Sequence, residues 1–432
     1  MFILWYIKKS GAESRRKQRE KTMTMRAWQT PLVLIISGSV IVMLAFGIRV
    51  NFGLYMDPIS SDLGWGRGVF SFAIALQSIV WGATTPLVGY IADRYGPARV
   101  LAFGGIFYTA GLFVMSQATA PAEATIGIGV LTGFAMSMTG FPIVLSVIGR
   151  QVAPGKRSFY LGLVSAAGSS GQVILVPFGQ WMLSNTSHWS VSMMVLALIT
   201  ALIVPLSYAL SGGNTRAQDD HSNQTIGEAM REAARHKGFK LLVAGYFVCG
   251  AQTMFIGAHL PAYLSDLGQP SYMGALALSL IGGFNIAGCI AWGYLGNRYS
   301  KKKLLSLLYF LRAMAMLVFI SSPITPLTVI FFTSTMGLLW LGTVPLTTGL
   351  VAQIFGTQYM STLVGFTFVS HQIGSFLGIW LGGVVYDGYG TYDPIFYGGI
   401  FLGVAAAFVH FPINENPLPR LAEEAAAAQP AQ

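Results

Sequence analysis

The chain has 432 residues, 53% of them hydrophobic and 10% charged, with a mean hydropathy of +0.60. Soluble domains carry about 25% charged residues, so a chain of this composition is solvated mainly by lipid. Its formal charge of +10 invites a nucleic-acid partner, which the placement of the basic residues excludes below.

The opening run Met1-Phe2-Ile3-Leu4-Trp5-Tyr6-Ile7 is too short to span a bilayer and precedes its basic residues, the reverse of a signal peptide. Residues 1–30 read as a disordered cytoplasmic extension, or as a start misassigned upstream of Met23 or Met25. A spanning helix needs about 20 mainly apolar residues, and twelve such segments follow: 32–52, 68–92, 99–117, 124–148, 159–182, 190–210, 241–263, 274–296, 304–321, 327–351, 361–385 and 393–412. The reading is an all-α membrane protein, twelve transmembrane helices in two pseudo-symmetric six-helix bundles. An N-terminal bundle covers 31–210, a cytoplasmic linker rich in Gly, Asn, Asp, His and Arg covers 211–239, a C-terminal bundle covers 240–413, and a cytoplasmic, solvated tail covers 414–432.

With the N-terminus in the cytoplasm, all of the 26 Lys and Arg fall inside except Arg67, in an outer loop, and Arg49 and Arg312, within segments 1 and 9. The positive-inside rule then puts both termini in the cytoplasm. The basic charge is a topogenic signal, and the expected partner is the lipid bilayer of a bacterial cytoplasmic (inner) membrane, with no nucleic acid. Cys249 and Cys289 both sit in apolar segments and indicate no disulfide framework.

Between segments 2 and 3 stands Gly89-Tyr90-Ile91-Ala92-Asp93-Arg94-Tyr95-Gly96-Pro97-Ala98-Arg99. About two hundred residues later the chain repeats it, weakened, as Gly293-Tyr294-Leu295-Gly296-Asn297-Arg298-Tyr299-Ser300-Lys301-Lys302. Gly, Tyr, Arg and Tyr coincide at a single offset, and Asp93 becomes Asn297. Segments 5 and 11 repeat as well, with Gly162, Gly171 and Gly179 matching Gly365, Gly374 and Gly382. Gly374, Gly378 and Gly382 form an i, i+4, i+8 stripe, which lets helix backbones approach closely in lipid. The stripe serves either static packing or a smooth surface over which one half rocks.

The Asp93-Arg94-x-Gly96 turn and its copy resemble the signature of the major facilitator superfamily, over nearly the whole chain. The resemblance implies the major facilitator fold, a monomeric carrier, binding near the midplane between the halves, and a cytoplasmic latch at the turns. Here the gating residues are Asp93, Arg94 and Arg99 in the first copy and Asn297 and Arg298 in the second. A carboxylate there caps helix N-termini and accepts from arginine; Asn297 lacks the charge, so the second latch is expected to be weaker. The plainer alternative is a turn that only sets topology.

A finer resemblance lies in Asn51-Phe52-Gly53-Leu54, Ser61-Asp62-Leu63-Gly64-Trp65 and Val385-Tyr386-Asp387-Gly388-Tyr389-Gly390, which look like the monocarboxylate-carrier and oxalate/formate-exchanger branch. Asn285, before Trp292-Gly293, matches that branch. Cys289 stands where its substrate-binding arginine is expected, and His371 where it carries a lysine. Both cationic positions depart from the branch, which weighs against oxalate or any dianion.

Intramembrane ionisable residues are functional candidates by default. Arg49 is expected one turn from the outer end of segment 1. There it either snorkels to the headgroups or faces the cavity and clamps a carboxylate, the favoured assignment. His371, near mid-membrane, either bridges helices or supplies a positive charge by protonation when an anion binds. Gln372, about 100° around the helix, points elsewhere. Gln252 and Asn285 are further substrate-binding candidates, with Trp340 shaping the cavity or facing lipid. His259, on the face of Gln252, is expected to gate or cap near the outer surface, and Arg312 to be peripheral, pairing or snorkelling. No Asp or Glu falls in mid-segment; Asp57, Asp62, Glu123, Asp266, Asp387 and Asp393 cluster at the outer ends.

The expected function is secondary active transport of a small organic anion, a monocarboxylate, by alternating access, with or without a coupled proton as in symport. The alternative is efflux of a hydrophobic or cationic compound. Against it stand the missing carboxylate relay and Gly168-Ser169-Ser170-Gly171-Gln172 in place of a Gly-Pro-x-x-Gly-Gly pattern. The chain carries no Gly-x-Ser-x-Gly elbow, His-Glu-x-x-His pair or phosphate-cradling loop, so no enzyme, cofactor or metal is expected.

Overall fold

Thr30 accepts from the Val33 backbone N–H at 3.3 Å and Pro31 takes the first helical position, so the chain enters α1 (Pro31–Leu63) capped. α1 stops at Gly64, whose φ of 63° is left-handed. α2 (Arg67–Tyr95) stops at Gly96, φ 98°, and Pro97 opens α3 (Pro97–Ser116), so a glycine–proline pair makes the sharp turn of the repeated motif. α4 begins at Pro121–Ala124, passes a π turn at Thr125–Leu131 and runs on through Thr132–Thr139 until Gly140 leaves the helical region. α5 (Pro154–Asn185) and α6 (Trp189–Ala201, continued by Ile203–Ala209) complete the first half. This computed structural model describes residues 30–141, 143–145, 147, 154–186, 188–211, 225–356 and 360–420.

The second half follows a short helix, α7 (Ile226–Arg235), started by a reciprocal capping box. The Glu228 carboxylate accepts from the Thr225 N–H at 2.7 Å and hydroxyl at 2.9 Å, which holds it below the ordinary carboxylate range. Then come α8 (Lys237–Asp266), α9 (Ser271–Arg298), α10 (Lys301–Ile320), α11 (Pro326–Leu339), α12 (Thr343–Phe355), α13 (Met360–Tyr389) and α14 (Asp393–His410). Together α11 and α12 make one interrupted span. Among the described residues, eleven helices are long and apolar enough to cross a membrane, and α5, 32 residues long, fills the remaining place in the twelve-segment plan.

One cluster of buried apolar side chains, including Ile41, Tyr55, Phe70, Tyr108 and Met193, is built mainly on α1–α6. Two others, around Leu308 and Ile354 and around Phe332 and Phe396, lie in the second half. Apolar burial gives helices little net drive to associate in lipid, so close backbone packing matters more. A Cβ on Gly47 of α1 would stand 2.6 Å from the Gly171 carbonyl oxygen of α5. Gly374 and Gly378 of α13 press in the same way on the Phe247 and Ala251 carbonyls of α8, and Gly382 on the His259 ring. The glycine stripe of segment 11 therefore packs within the second half, not on a surface sliding between halves.

Two further expectations change. Segment 1 runs on to Leu63 through Gly53, Asp57 and Pro58, because Gly53 abuts the Gly257 carbonyl of α8 and Asp57 finds an ion pair. The tail is not simply solvated. Glu415 accepts from the Ser300 hydroxyl at 2.5 Å and the Lys302 N–H at 2.9 Å, and Arg420 pairs with Glu232 at 3.1 Å. Residues 421–432 and 1–29 lie outside the described residues.

Candidate functional site

The longer α1 moves Arg49 from a helix end to the middle of a 33-residue helix, which removes the snorkelling reading. Only 9% of Arg49 is exposed. Nε donates to Gln77 Oε1 at 3.0 Å and Nη2 to Ser78 Oγ at 3.2 Å, both on α2; Nη1 rests on the Met254 thioether of α8 at 3.2 Å. Gln77 is fixed in turn by donating to Thr132 Oγ1 at 2.6 Å. The guanidinium carbon lies 5.4 Å from the Trp81 ring centroid. Arg49 thus touches both halves, and no carboxylate among the described residues pairs with it.

His371 of α13 is buried beside Tyr246, with ring centroids 5.1 Å apart. Its Nδ1 lies 3.0 Å from Gln372 Oε1 and 3.3 Å from Ser375 Oγ. Gln372 does not point elsewhere: its Nε2 donates to the Ser78 carbonyl of α2 at 3.2 Å. Ser78 therefore links Arg49 to Gln372 and His371. A parallel aromatic route runs from Trp81 to Phe368 (5.1 Å, edge-on) and from Phe368 to His371 (5.9 Å, stacked).

Asn285 makes a further contact between halves. Its Nδ2 donates to Ser169 Oγ of α5 at 3.0 Å, and its Oδ1 accepts from the Leu341 N–H at 3.0 Å and from Cys289 Sγ at 3.3 Å. Leu341 lies in the interruption between α11 and α12. A broken helix in lipid must have its freed polar groups satisfied by protein, and here side chains of other helices reach the Leu341 N–H and the Leu338, Leu339 and Trp340 carbonyls. Trp292 Nε1 donates to the Leu338 carbonyl at 2.9 Å, and Arg312 donates to the Leu339 carbonyl at 2.6 and 2.8 Å and to that of Trp340. Arg312 is fully buried, so the expectation of a peripheral residue is corrected: it is the clamp of the broken helix. Gly140 interrupts α4 at the matching place in the first half.

Trp340 does not face lipid; it is buried in the second half. Gln252 turns away from α1 and donates to the Gly399 carbonyl of α14 at 2.8 Å. The structure thus links Arg49 to His371 through Ser78 and Gln372, sets Asn285 at a separate contact between halves, and turns Gln252 toward α14.

Sequence reasoning passed over the end of the bundle where α1 hands over to α2. Arg67 there is 7% exposed. It meets Asp266 of α8 at 2.5 Å and Asp57 of α1 at 2.6 Å, donates to the Tyr392 hydroxyl at 3.2 Å, and lies 3.9 Å from the Tyr386 ring. Asp387 of α13 accepts from the Arg67 and Gly68 backbone N–H groups at 2.8 and 2.7 Å, which caps α2 from the other half. His259, fully buried, stands behind this cluster, with Nδ1 3.1 Å from the Tyr392 hydroxyl and Nε2 2.7 Å from the Ile379 carbonyl. The signal was a lone arginine among the acids at the segment ends.

At the opposite end, Arg99, Asn297 and Arg298 are exposed, and Arg298 lies over Tyr294 of its own helix at 4.7 Å. The side chains of Asp93 and Arg94 lie outside the described residues. Where the second turn lost its aspartate, Glu415 brings a carboxylate to the N-terminus of α10.

A buried cation on the meeting face of two repeated halves, beside interrupted helices, belongs to a membrane transporter rather than a static bundle. The Major Facilitator Superfamily profile matches residues 35–379, and the chain belongs to that family. It is 22% identical to the oxalate:formate antiporter of Oxalobacter formigenes over 395 residues, covering 87% of this chain and 88% of the relative. It is 26% identical to monocarboxylate transporter 13 of Rattus norvegicus over 393 residues, covering 85% and 86%. Its fold matches the crystal structure of the nucleoside transporter NupG with a TM-score of 0.72 at 14% identity, over 89% of this chain and 99% of that one.

Proposed function

We propose that this transporter is a secondary active carrier of a small organic anion, a monocarboxylate, that binds Arg49 between the halves and crosses by alternating access in symport with a proton taken up at His371. The observation that carries the reading is Arg49 itself: a mid-helix guanidinium, buried where the halves meet, whose partners are all neutral. A charge at the bilayer centre costs about 2.5–3.5 kcal/mol or more, so it is retained where an anion uses it. The similarity to an oxalate:formate antiporter and a monocarboxylate transporter supports the anion class. A single arginine, linked to a histidine through Ser78 and Gln372, suits one negative charge better than two.

The charge distribution favours a cytoplasmic membrane with both termini inside, which makes the Arg67 end the outer one. On that reading Arg67, with His259 behind it, is the outer gate. Asp93, Arg94, Arg99, Asn297 and Arg298 form the inner latch. Asn285 joins the halves through α5, while Gln252 and Trp340 shape the second half. The carrier works as a monomer.

The test is uptake of labelled monocarboxylates into proteoliposomes holding the purified chain, with and without an inward proton gradient. Arg49→Gln is expected to abolish uptake and Arg49→Lys to impair it at least tenfold, since an ammonium lacks the bidentate fork. His371→Ala is expected to remove the response to the gradient. Uptake by Arg49→Gln equal to wild type would overturn the assignment.

A further inference from the structure

The surroundings of Arg49 carry more than a charge. Nη1 rests on a thioether sulfur, a weak acceptor that a carboxylate oxygen outcompetes. Beside it Trp81 is 6% exposed, and its indole N–H is buried with no acceptor among the described residues. Buried polar groups are nearly always hydrogen-bonded, and an exception asks for a reason. Two donors with unspent capacity therefore sit at the level where the halves meet.

The walls around these donors are aromatic. Phe46 of α1 meets Trp81 edge-on at 5.7 Å and Phe141 at 4.4 Å; Phe368 of α13 meets Trp81 edge-on at 5.1 Å from the other half. Phe46, Phe141 and Phe368 are each only partly buried. Aromatic pairs favour such edge-on and offset arrangements, and another flat ring joins them at the same spacings. Arg312, the other arginine in mid-segment, is committed to the Leu339 and Trp340 carbonyls.

We propose that the cargo is an arylcarboxylate monoanion, its carboxylate accepting from Arg49 Nη1 and Trp81 Nε1 and its ring lying among Phe46, Phe141 and Phe368. This rests on the assignment of Arg49 as the anion clamp and narrows its substrate class. A short acid leaves the aromatic walls without a partner, and a dianion brings a second charge to a site with one arginine. The class is therefore defined by a flat apolar body as well as by a single charge.

The test is binding of benzoate, acetate and oxalate to the purified full-length carrier, read by equilibrium binding of the labelled acids and by thermal stabilisation. Benzoate is expected to bind at least tenfold more tightly than acetate, and oxalate more weakly than either. Trp81→Phe keeps a ring and removes the N–H; it is expected to weaken benzoate about tenfold, as loss of one hydrogen bond to a charged group does. Phe368→Ala, a second variant, is expected to narrow the benzoate-to-acetate ratio. Acetate binding as tightly as benzoate, or undiminished benzoate binding by Trp81→Phe, overturns the arylcarboxylate proposal while leaving the clamp in place. Carboxylate binding retained by Arg49→Gln, or no carboxylate binding by the wild type, overturns the clamp and the proposal with it.

Discussion

Arg67→Gln is expected to loosen the end of the bundle that Arg67 closes. The guanidinium joins Asp57 of the first half to Asp266 of the second, and removing it leaves those two carboxylates facing each other. Breaking a buried ion pair from one side costs about 3–5 kcal/mol. Asp57 and Asp266 keep 35% and 26% of their side chains exposed, so solvent screening reduces this to about 1–2 kcal/mol. A change of that size shifts the ratio of closed to open forms by a factor of about 5–30. The assay is a distance distribution between spin labels at the exposed Ser61 and Leu267, one in each half, with Cys249 and Cys289 replaced by Ser. Arg67→Gln should add a longer distance, and a second substitution, Asp266→Asn, should reverse most of it by relieving the repulsion. An unchanged distribution in Arg67→Gln, or further opening on adding Asp266→Asn, would refute the reasoning.

Arg312→Met should lower stability by about 3–5 kcal/mol, because the Leu339 and Trp340 carbonyls lose a buried charged donor; Arg312→Lys should rescue little of it, and a thermal-unfolding midpoint equal to wild type in Arg312→Met would count against the clamp. Gly378→Ala should destabilise by at least about 1–3 kcal/mol, since its Cβ meets the Ala251 carbonyl, whereas Gly365→Ala, with nothing within 4 Å, should be silent; equal effects on unfolding would deny the packing account. Glu228 titrates below the ordinary carboxylate range, so its contribution to α7 is present at neutral pH and lost as pH falls through that lowered value. Hydrogen exchange of α7 amides should show that loss in wild type and not in Glu228→Ala.

The features legible in the sequence are local or periodic. Twelve apolar segments, the repeated turn and the one-sided Lys and Arg need no partner to be read. The length of α1 was not legible, because Gly53, Asp57 and Pro58 look like a helix end until Gly257 and Arg67 arrive from elsewhere in the chain. Gln372 was set aside because it lies about 100° from His371 on its helix, yet that rotation aims it at Ser78 of the other half. The role of Arg312 depends on an interruption at Trp340-Leu341-Gly342, which Gly342 and Pro345 hint at locally but whose carbonyls are met by a side chain from another helix. Arg67 was readable: a lone basic residue among end-clustered acids asks for an ion pair, and only its buried, inter-half geometry needed the structure.

The site and the closed end share one seam, and this constrains how an anion can act. α2 and α13 meet at Asp387 on the Arg67 and Gly68 N–H groups, at Gly383 against Ser71, at Gln372 on the Ser78 carbonyl and at Phe368 on Trp81. On the proposed reading, an anion at Arg49 competes with Ser78 and Met254 for the guanidinium and so perturbs the seam near its inner limit. A ligand shifts an equilibrium only by its differential affinity for the two forms. Against a closure worth about 1–2 kcal/mol, the anion must bind the opened form about 5–30-fold more tightly to draw the Arg67 end apart. An anion that bound both forms equally would occupy Arg49 and move nothing. The same seam therefore asks two things of one substrate: a charge that releases Arg49 from its neutral partners, and a body that fits better once Trp81 and Phe368 have separated.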